Sequence, residues 1–146
     1  MRLGLCFART EIINELMKVK DSYNLSRVAL VAGAEALKDA AWMRRNVERV
    51  KHTREITSER LRQFGFEVPD SSANFVLVRV AGHDLAPMAR ALRACGILVR
   101  HFATPMLRDC LRISIGTPAE MNALFKAIAA NLPLLRSNGA TPRIRQ

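Results

Sequence analysis

Two arginines in short apolar runs are the residues of this sequence whose type and position best suit chemistry. Arg100 ends the run Gly96–Arg100, and Arg112 lies in the middle of the run Leu111–Ile115. A guanidinium in such a run needs an anionic partner, because its donors are costly to remove from water unless they are hydrogen-bonded. The two runs therefore mark a candidate anion-binding site.

The partner of Arg112 is left open by the sequence pattern. The alternation in Leu111–Ile115 predicts a β-strand with an apolar face and a polar face that carries Arg112 and Ser114. Spacing alone allows a cross-strand ion pair with an acid such as Asp109 or Glu120. It allows equally well an anion that belongs to a ligand.

The hydrophobic spacing predicts helices and strands that could position these arginines. Helices are expected from Thr10, with Thr10 as the cap, from Ser26, over Ala40–Phe64, over Leu85–Ala94 and from Pro118 to Leu132. Strands are expected over Ala73–Val80 and over the two arginine-bearing runs. The helix after Ser26 is apolar on two sides and is expected to be well buried. This order predicts an α+β domain, with helices packed on one face of a small, mostly antiparallel sheet.

Composition and length limit the class of protein. The sequence has 146 residues, 49% of them hydrophobic, which suits one compact domain with a real core. No apolar run approaches the roughly 20 residues of a membrane span. Residues Met1–Ala8 form too short an apolar segment for a signal peptide. We therefore expect a cytoplasmic protein without a membrane partner.

The formal net charge of +10 could attract nucleic acid, an acidic membrane surface or a small anion. The arginines are spread over the predicted helices, and aromatic residues make up only 5% of the chain, which leaves few platforms for stacking bases. A basic solvated surface is favoured over nucleic-acid binding. The three cysteines form no CxxC pair and the three histidines have no ligand spacing, so no metal site is predicted.

Four ordered segments resemble the C-terminal part of fold-type I, pyridoxal-phosphate-dependent aminotransferases, and most closely the histidinol-phosphate aminotransferases. Met1–Ala8 resembles L-R-x-G-[YF]-x-x-A, Ser72–Val76 resembles S-x-A-N-F, Gly96–Arg100 resembles G-I-[LI]-V-R, and Cys110–Thr117 resembles C-L-R-I-[ST]-[IV]-G-T. The resemblance extends from Met1 to about Leu132. It implies that residues 1–135 form the small C-terminal domain, in which residues 1–9 are a remnant strand of a truncated large domain. Residues 136–146 are expected to be a flexible tail.

The resemblance also implies roles for individual residues. Arg2 would bind the phosphate of pyridoxal 5'-phosphate, for which the fork of an arginine is well suited. Arg112 would clamp the acidic group of the substrate, and Arg100 would be a second anion-binding arginine near it. Asn74 would lie near the same cleft as a further substrate-binding residue.

The reactive lysine of the family is expected about eight residues before Arg2, in sequence that this chain does not contain. None of the five lysines stands in the family's S-K-x-x-x-x-x-G setting. The resemblance therefore implies no catalytic residue here, and we expect the start at Met1 to reflect truncation or a short open reading frame. The chain alone is predicted to be inactive.

Two functions follow as hypotheses. The first is a fragment of a histidinol-phosphate-type transaminase of histidine biosynthesis, which moves an amino group between histidinol phosphate or imidazole-acetol phosphate and glutamate or 2-oxoglutarate. The resemblance implies a small anionic substrate, pyridoxal phosphate in the complete enzyme, and a homodimer or a partner aminotransferase chain. The second hypothesis is a non-catalytic interaction module or remnant that pairs with another aminotransferase protomer.

Overall fold

A computed structural model describes residues 3–135 of the chain. Within this range the helices are α1 (Thr10–Val19), α2 (Arg27–Lys38), α3 (Ala40–Gln63), α4 (Ala86–Ala94) and α5 (Pro118–Ala130), and the strands are β1 (Phe75–Arg79), β2 (Arg100–His101) and β3 (Cys110–Ser114). A 3-10 turn, Leu132–Leu135, follows α5. The chain divides into two units, residues 1–45 and 46–146, with the boundary inside α3.

The first unit exposes much of its apolar surface. Ser26 caps α2 as its type suggests, because its Oγ accepts a hydrogen bond from the N–H of Ala29 at 3.2 Å. The prediction that α2 is well buried is wrong: Val28 is 77% exposed, and Gly33 is the buried residue of this helix. A helix that is apolar on two sides needs neighbours on both sides, and a unit of this size offers too little chain to provide them.

The start of α1 also differs from the prediction. Arg9 occupies the N-cap position without a side-chain hydrogen bond, and Thr10 is the first helical residue, so the predicted Thr10 cap is wrong. Residues Leu3–Arg9 are in no strand. The interpretation of residues 1–9 as a remnant strand, and of residues 1–135 as one domain, stays a prediction. The predicted tail, 136–146, lies outside the described residues.

The second unit contains an antiparallel three-stranded sheet in the order β1-β3-β2, which confirms the α+β prediction. Residues of one face of the sheet form a core with residues of α3, α4 and α5. The core includes Val76, Val78, Leu111 and Ile113 from the sheet and Leu61, Met88, Leu92, Leu124 and Ile128 from the helices. Within this unit the helices therefore pack on one face of the sheet, as predicted.

Strand β2 is shorter than the sequence suggests, because the backbone N–H groups of Gly96 and Ile97 form the hydrogen bonds that end α4. Gly96 has a φ of +77°, a conformation that suits glycine at a helix C-terminus. The N–H of Ile97 then donates to the carbonyl of Leu92 at 2.9 Å. Pairing with β3 is left to Arg100 and His101.

The start of α5 fixes the chain that leaves β3. Thr117 and Glu120 form a capping box, in which the N–H of Thr117 donates to Glu120 Oε2 at 2.7 Å and the N–H of Glu120 donates to Thr117 Oγ1 at 3.3 Å. The hydrogen bond from the Thr117 N–H lowers the pKa of Glu120. The helix ends at Ala130, two residues before the predicted end at Leu132. Between Leu3 and Leu135, no helix has the length and apolar character needed to cross a membrane.

Candidate anion-binding site

The face of the sheet opposite the core carries the two arginines that the sequence singled out. Strand alternation places Arg112 and Ser114 on this open face, and both are exposed, while Leu111 and Ile113 are buried on the other face. Arg100 is the direct cross-strand partner of Arg112. The two arginines are therefore neighbours on the same face of the sheet.

Each guanidinium lies over an aromatic ring. The Cζ atom of Arg112 is 5.4 Å from the ring centroid of Phe75, and the Cζ atom of Arg100 is 5.7 Å from that of Phe102. Among residues 3–135, no carboxylate lies within ion-pair distance of either arginine. Two like charges side by side without an acid form a place where an anion would be stabilised.

The internal acids that the sequence offered to Arg112 are engaged elsewhere. Asp109 accepts a hydrogen bond from Arg79 Nε at its Oδ2, at 2.7 Å. Glu120 is held in the capping box by Thr117. The ion pair of Arg112 with either acid is therefore not formed.

The pair of Arg79 and Asp109 stabilises the end of the sheet where β3 begins. The hydrogen bond from Arg79 lowers the pKa of Asp109, and the same bond raises the pKa of the Arg79 guanidinium. The carbonyl of Asp109 also accepts from the N–H of Val80 at 3.0 Å. Burial raises the pKa of the neighbouring Cys110 thiol. Arg79 thus serves the fold through its ion pair with Asp109.

Acid should weaken the fold through Asp109. A carboxyl whose pKa is lower in the folded chain than in the unfolded chain stabilises the fold above its unfolded pKa, which is about 3.9 for aspartate. That contribution is lost as the pH falls through the lowered pKa of the folded state. We expect the free energy of unfolding, measured by urea titration from about pH 6 to about pH 2, to fall more steeply below about pH 4 in the wild type than in Asp109→Asn. Equal slopes in the two proteins would show that Asp109 is not linked to stability.

The roles predicted for Asn74 and Arg2 stay predictions. Asn74 is exposed just before β1. Its carbonyl accepts a hydrogen bond from the N–H of Ile115 at 2.8 Å, three residues along the chain from Arg112. No hydrogen bond joins its side chain to Arg112 or Arg100 within the part of the chain that the structure describes. Arg2, the predicted cofactor ligand, lies outside the described residues.

Sequence reasoning missed the residues that surround the two arginines. Phe75 and Phe102 were not identified as contacts of a guanidinium, and Asp109 was considered for the wrong arginine. The register of β1 and β3 contains the missing signal, because it pairs Phe75 with Ser114 and Arg79 with Cys110. Once that pairing is known, a ring beside Arg112 and an acid beside Arg79 follow.

Comparison with known proteins decides the family. The model of the family "Aminotransferase class I and II" matches residues 1–128. The chain belongs to this family. The resemblance described from the four motifs is therefore confirmed at the level of class I and II aminotransferases.

Individual aminotransferases give the extent of the likeness. The chain is 44% identical over 133 residues to the histidinol-phosphate aminotransferase of Chromohalobacter salexigens. The matched region covers 89% of this chain and 38% of that protein. The histidinol-phosphate aminotransferase of Sinorhizobium meliloti, solved in complex with pyridoxal-5'-phosphate, matches with 27% identity and a TM-score of 0.68 over 86% of this chain and 34% of its own. The enzyme of the same name from Clostridium acetobutylicum has the same fold, with a TM-score of 0.76 at 21% identity over 84% of this chain and 38% of its own. The chain thus spans well under half the length of these relatives.

Proposed function

We propose that this chain provides the substrate-anion-binding part of a pyridoxal-phosphate-dependent transaminase of the histidinol-phosphate type. The observation that carries the proposal is the pair Arg100 and Arg112, adjacent on an open sheet face without an acidic partner among residues 3–135. The names of the relatives support the substrate class, and the pyridoxal phosphate of the Sinorhizobium protein supports the cofactor. In this proposal the complete enzyme transfers an amino group between an amino-phosphate and 2-oxoglutarate.

The proposed roles follow from the chemistry of guanidinium. Arg112 would grip the phosphate of the amino-phosphate or the carboxylate of the keto acid, because its planar fork can donate two parallel hydrogen bonds to either group. Arg100 would add a second positive charge from the neighbouring strand. Asn74 is proposed as a further substrate contact, and Arg2 as the ligand of the cofactor phosphate.

The described residues do not by themselves fit pyridoxal phosphate, which needs a lysine amine in a sheltered cleft. All five lysines are exposed on helices or just beyond a helix end. Lys18, Lys38 and Lys51 each form an ion pair with the glutamate three residues before, at 2.5, 2.7 and 2.7 Å, while Lys20 donates to the carbonyl of Asp21 and Lys126 lies on α5. None lies in the strands with Arg112 and Arg100. We therefore propose that the chain binds substrate anions but does not catalyse transamination alone.

A reconstitution experiment tests this function. The purified chain, mixed with pyridoxal phosphate and glutamate, should give neither a borohydride-reducible absorbance band nor turnover. Co-expression with the part of the Chromohalobacter relative that precedes the matched region should give transaminase activity towards histidinol phosphate. Turnover by the chain alone, or a folded co-expressed pair with no activity, would contradict the proposal.

A second candidate function is a non-catalytic module that pairs with another aminotransferase protomer. It is favoured by the exposed apolar side chains of α1 and α2, since patches of this kind often mark interaction surfaces. The exposed residues include Ile12, Leu16, Met17, Val28, Leu30, Val31 and Leu37. This function predicts that a full-length homologue is retained by the immobilised chain and that its activity does not require Arg112.

A further inference from the structure

Phe75 and Phe102 are the rings over which the guanidiniums of Arg112 and Arg100 lie, and the proposed function gives them no role. We propose that Phe75 and Phe102 are positioning residues, which hold Arg112 and Arg100 ready to bind a phosphate group. The inference rests on the proposed function and goes further, because it names the groups that prepare the arginines of that site.

A ring contact leaves a guanidinium able to bind an anion, whereas a carboxylate contact does not. The N–H donors of a guanidinium point outward in its plane, whereas an aromatic ring contacts the flat face of the guanidinium. The ring therefore does not occupy the donors. Arg79, which lies on the same face of β1 as Phe75, shows the opposite arrangement. Its Nε–H donates a hydrogen bond to Asp109 Oδ2 at 2.7 Å. Arg112 and Arg100 are therefore restrained while their donors and their charge stay free.

The two rings also lie on opposite sides of β3 and towards opposite ends of it. Phe75 is paired with Ser114, on the β1 side of Arg112. Phe102 follows Arg100 by two residues, in the direction of the Cys110 end of β3. From this register we expect contact with the rings to draw the two guanidiniums away from each other, which would reduce the repulsion between their like charges.

An anion with two charges is the ligand that such a pair best fits. A phosphate monoester carries about 1.5 to 2 negative charges near pH 7 and three acceptor oxygens, enough for donors from two guanidiniums. A single carboxylate offers one charge and two oxygens. The positioned pair is thus suited to the phosphate end of a substrate.

Replacement of Phe75 tests the inference in the intact chain, with inorganic phosphate as the probe. Phe75→Leu should raise the dissociation constant for phosphate about two- to five-fold, the loss expected for one exposed cation–π contact. It should also remove the ring-current shift of the Arg112 Nε–H resonance in the NMR spectrum without phosphate. Phe75→Tyr should retain both the affinity and the shift, because it keeps a ring in the same place.

Phe125→Leu is the matched control, because its half-buried ring packs against Phe64 at 6.3 Å and contacts neither arginine. It should leave phosphate affinity unchanged. Phe102→Leu, in the loop after β2, tests the Arg100 half independently if Phe75→Leu does not fold. For Phe102→Leu, a rise of about two- to five-fold in the dissociation constant for phosphate supports the inference, because this is the loss expected for one exposed cation–π contact. An unchanged dissociation constant overturns it.

The outcomes separate this inference from the function on which it rests. If Arg112→Ala weakens phosphate binding while folded Phe75→Leu binds like the wild type, the positioning role is overturned and the proposed function stands. If Arg112→Ala binds phosphate as tightly as the wild type, the proposed function fails and the positioning role fails with it. Weaker binding in both variants, with full recovery in Phe75→Tyr, supports both.

Discussion

Replacing Arg112 by alanine should raise the dissociation constant of the chain for inorganic phosphate about 10- to 100-fold. A hydrogen bond to a charged group contributes about 1.5–3 kcal/mol, and about 1.4 kcal/mol corresponds to a factor of ten. Because Arg112 is exposed, water competes for the anion, and we expect the lower part of this range. Calorimetric titration at low ionic strength measures the effect.

Two further variants distinguish the fork of Arg112 from its charge. Arg112→Lys keeps the charge without the bidentate geometry and should fall between the wild type and the alanine variant. Arg60→Ala removes an exposed arginine that also lies over a ring, that of Phe64, but in the last turn of α3, and it should change phosphate affinity little. Equal losses in Arg112→Ala and Arg60→Ala would mean that phosphate responds to the net charge of the chain, not to this site.

Leu111→Ala should lower the free energy of unfolding by about 2–5 kcal/mol, the range found for deletion of a fully buried leucine side chain. Leu111 is 1% exposed on the central strand β3, opposite Val78 of β1 and His101 of β2. A small domain has about 5–15 kcal/mol of stability in total, so the loss would be a large share of it. The midpoint of urea unfolding reports the change.

Leu98→Ala is the matched control for Leu111→Ala, because Leu98 is 73% exposed in the segment before β2. Its effect should stay within about 0.5 kcal/mol. If the two leucine variants unfolded at the same urea concentration, the burial of β3 described above would be incorrect.

The second unit could be predicted well because its sequence signals act locally. Thr117, Pro118 and Glu120 specify the start of α5 by hydrogen bonds within one turn, and the structure has that capping box. The alternation of Leu111, Arg112 and Ile113 likewise determined which side of β3 faces the core. The orientation of Arg112 was predictable for the same reason.

What the sequence did not reveal depends on pairing between distant segments. The contact of Arg112 with Phe75 and that of Arg79 with Asp109 both require the register of β1 against β3, which no single segment encodes. The burial predicted for α2 failed for a related reason. Apolar periodicity indicates that a helix face needs a partner, but it does not say whether the same chain provides one.

The different lengths of β2 and β3 make the two arginines unequal. Arg112 lies in a five-residue strand held by a neighbour on each side, whereas Arg100 begins a strand of two residues held by β3 alone among the described strands. Edge segments with few backbone hydrogen bonds open at lower free energy than central strands. Amide hydrogen exchange should therefore be faster around Arg100 than around Arg112. Arg112 would then act as a fixed anchor, while Arg100 would move together with Phe102, as one edge segment, to fit anions of different size.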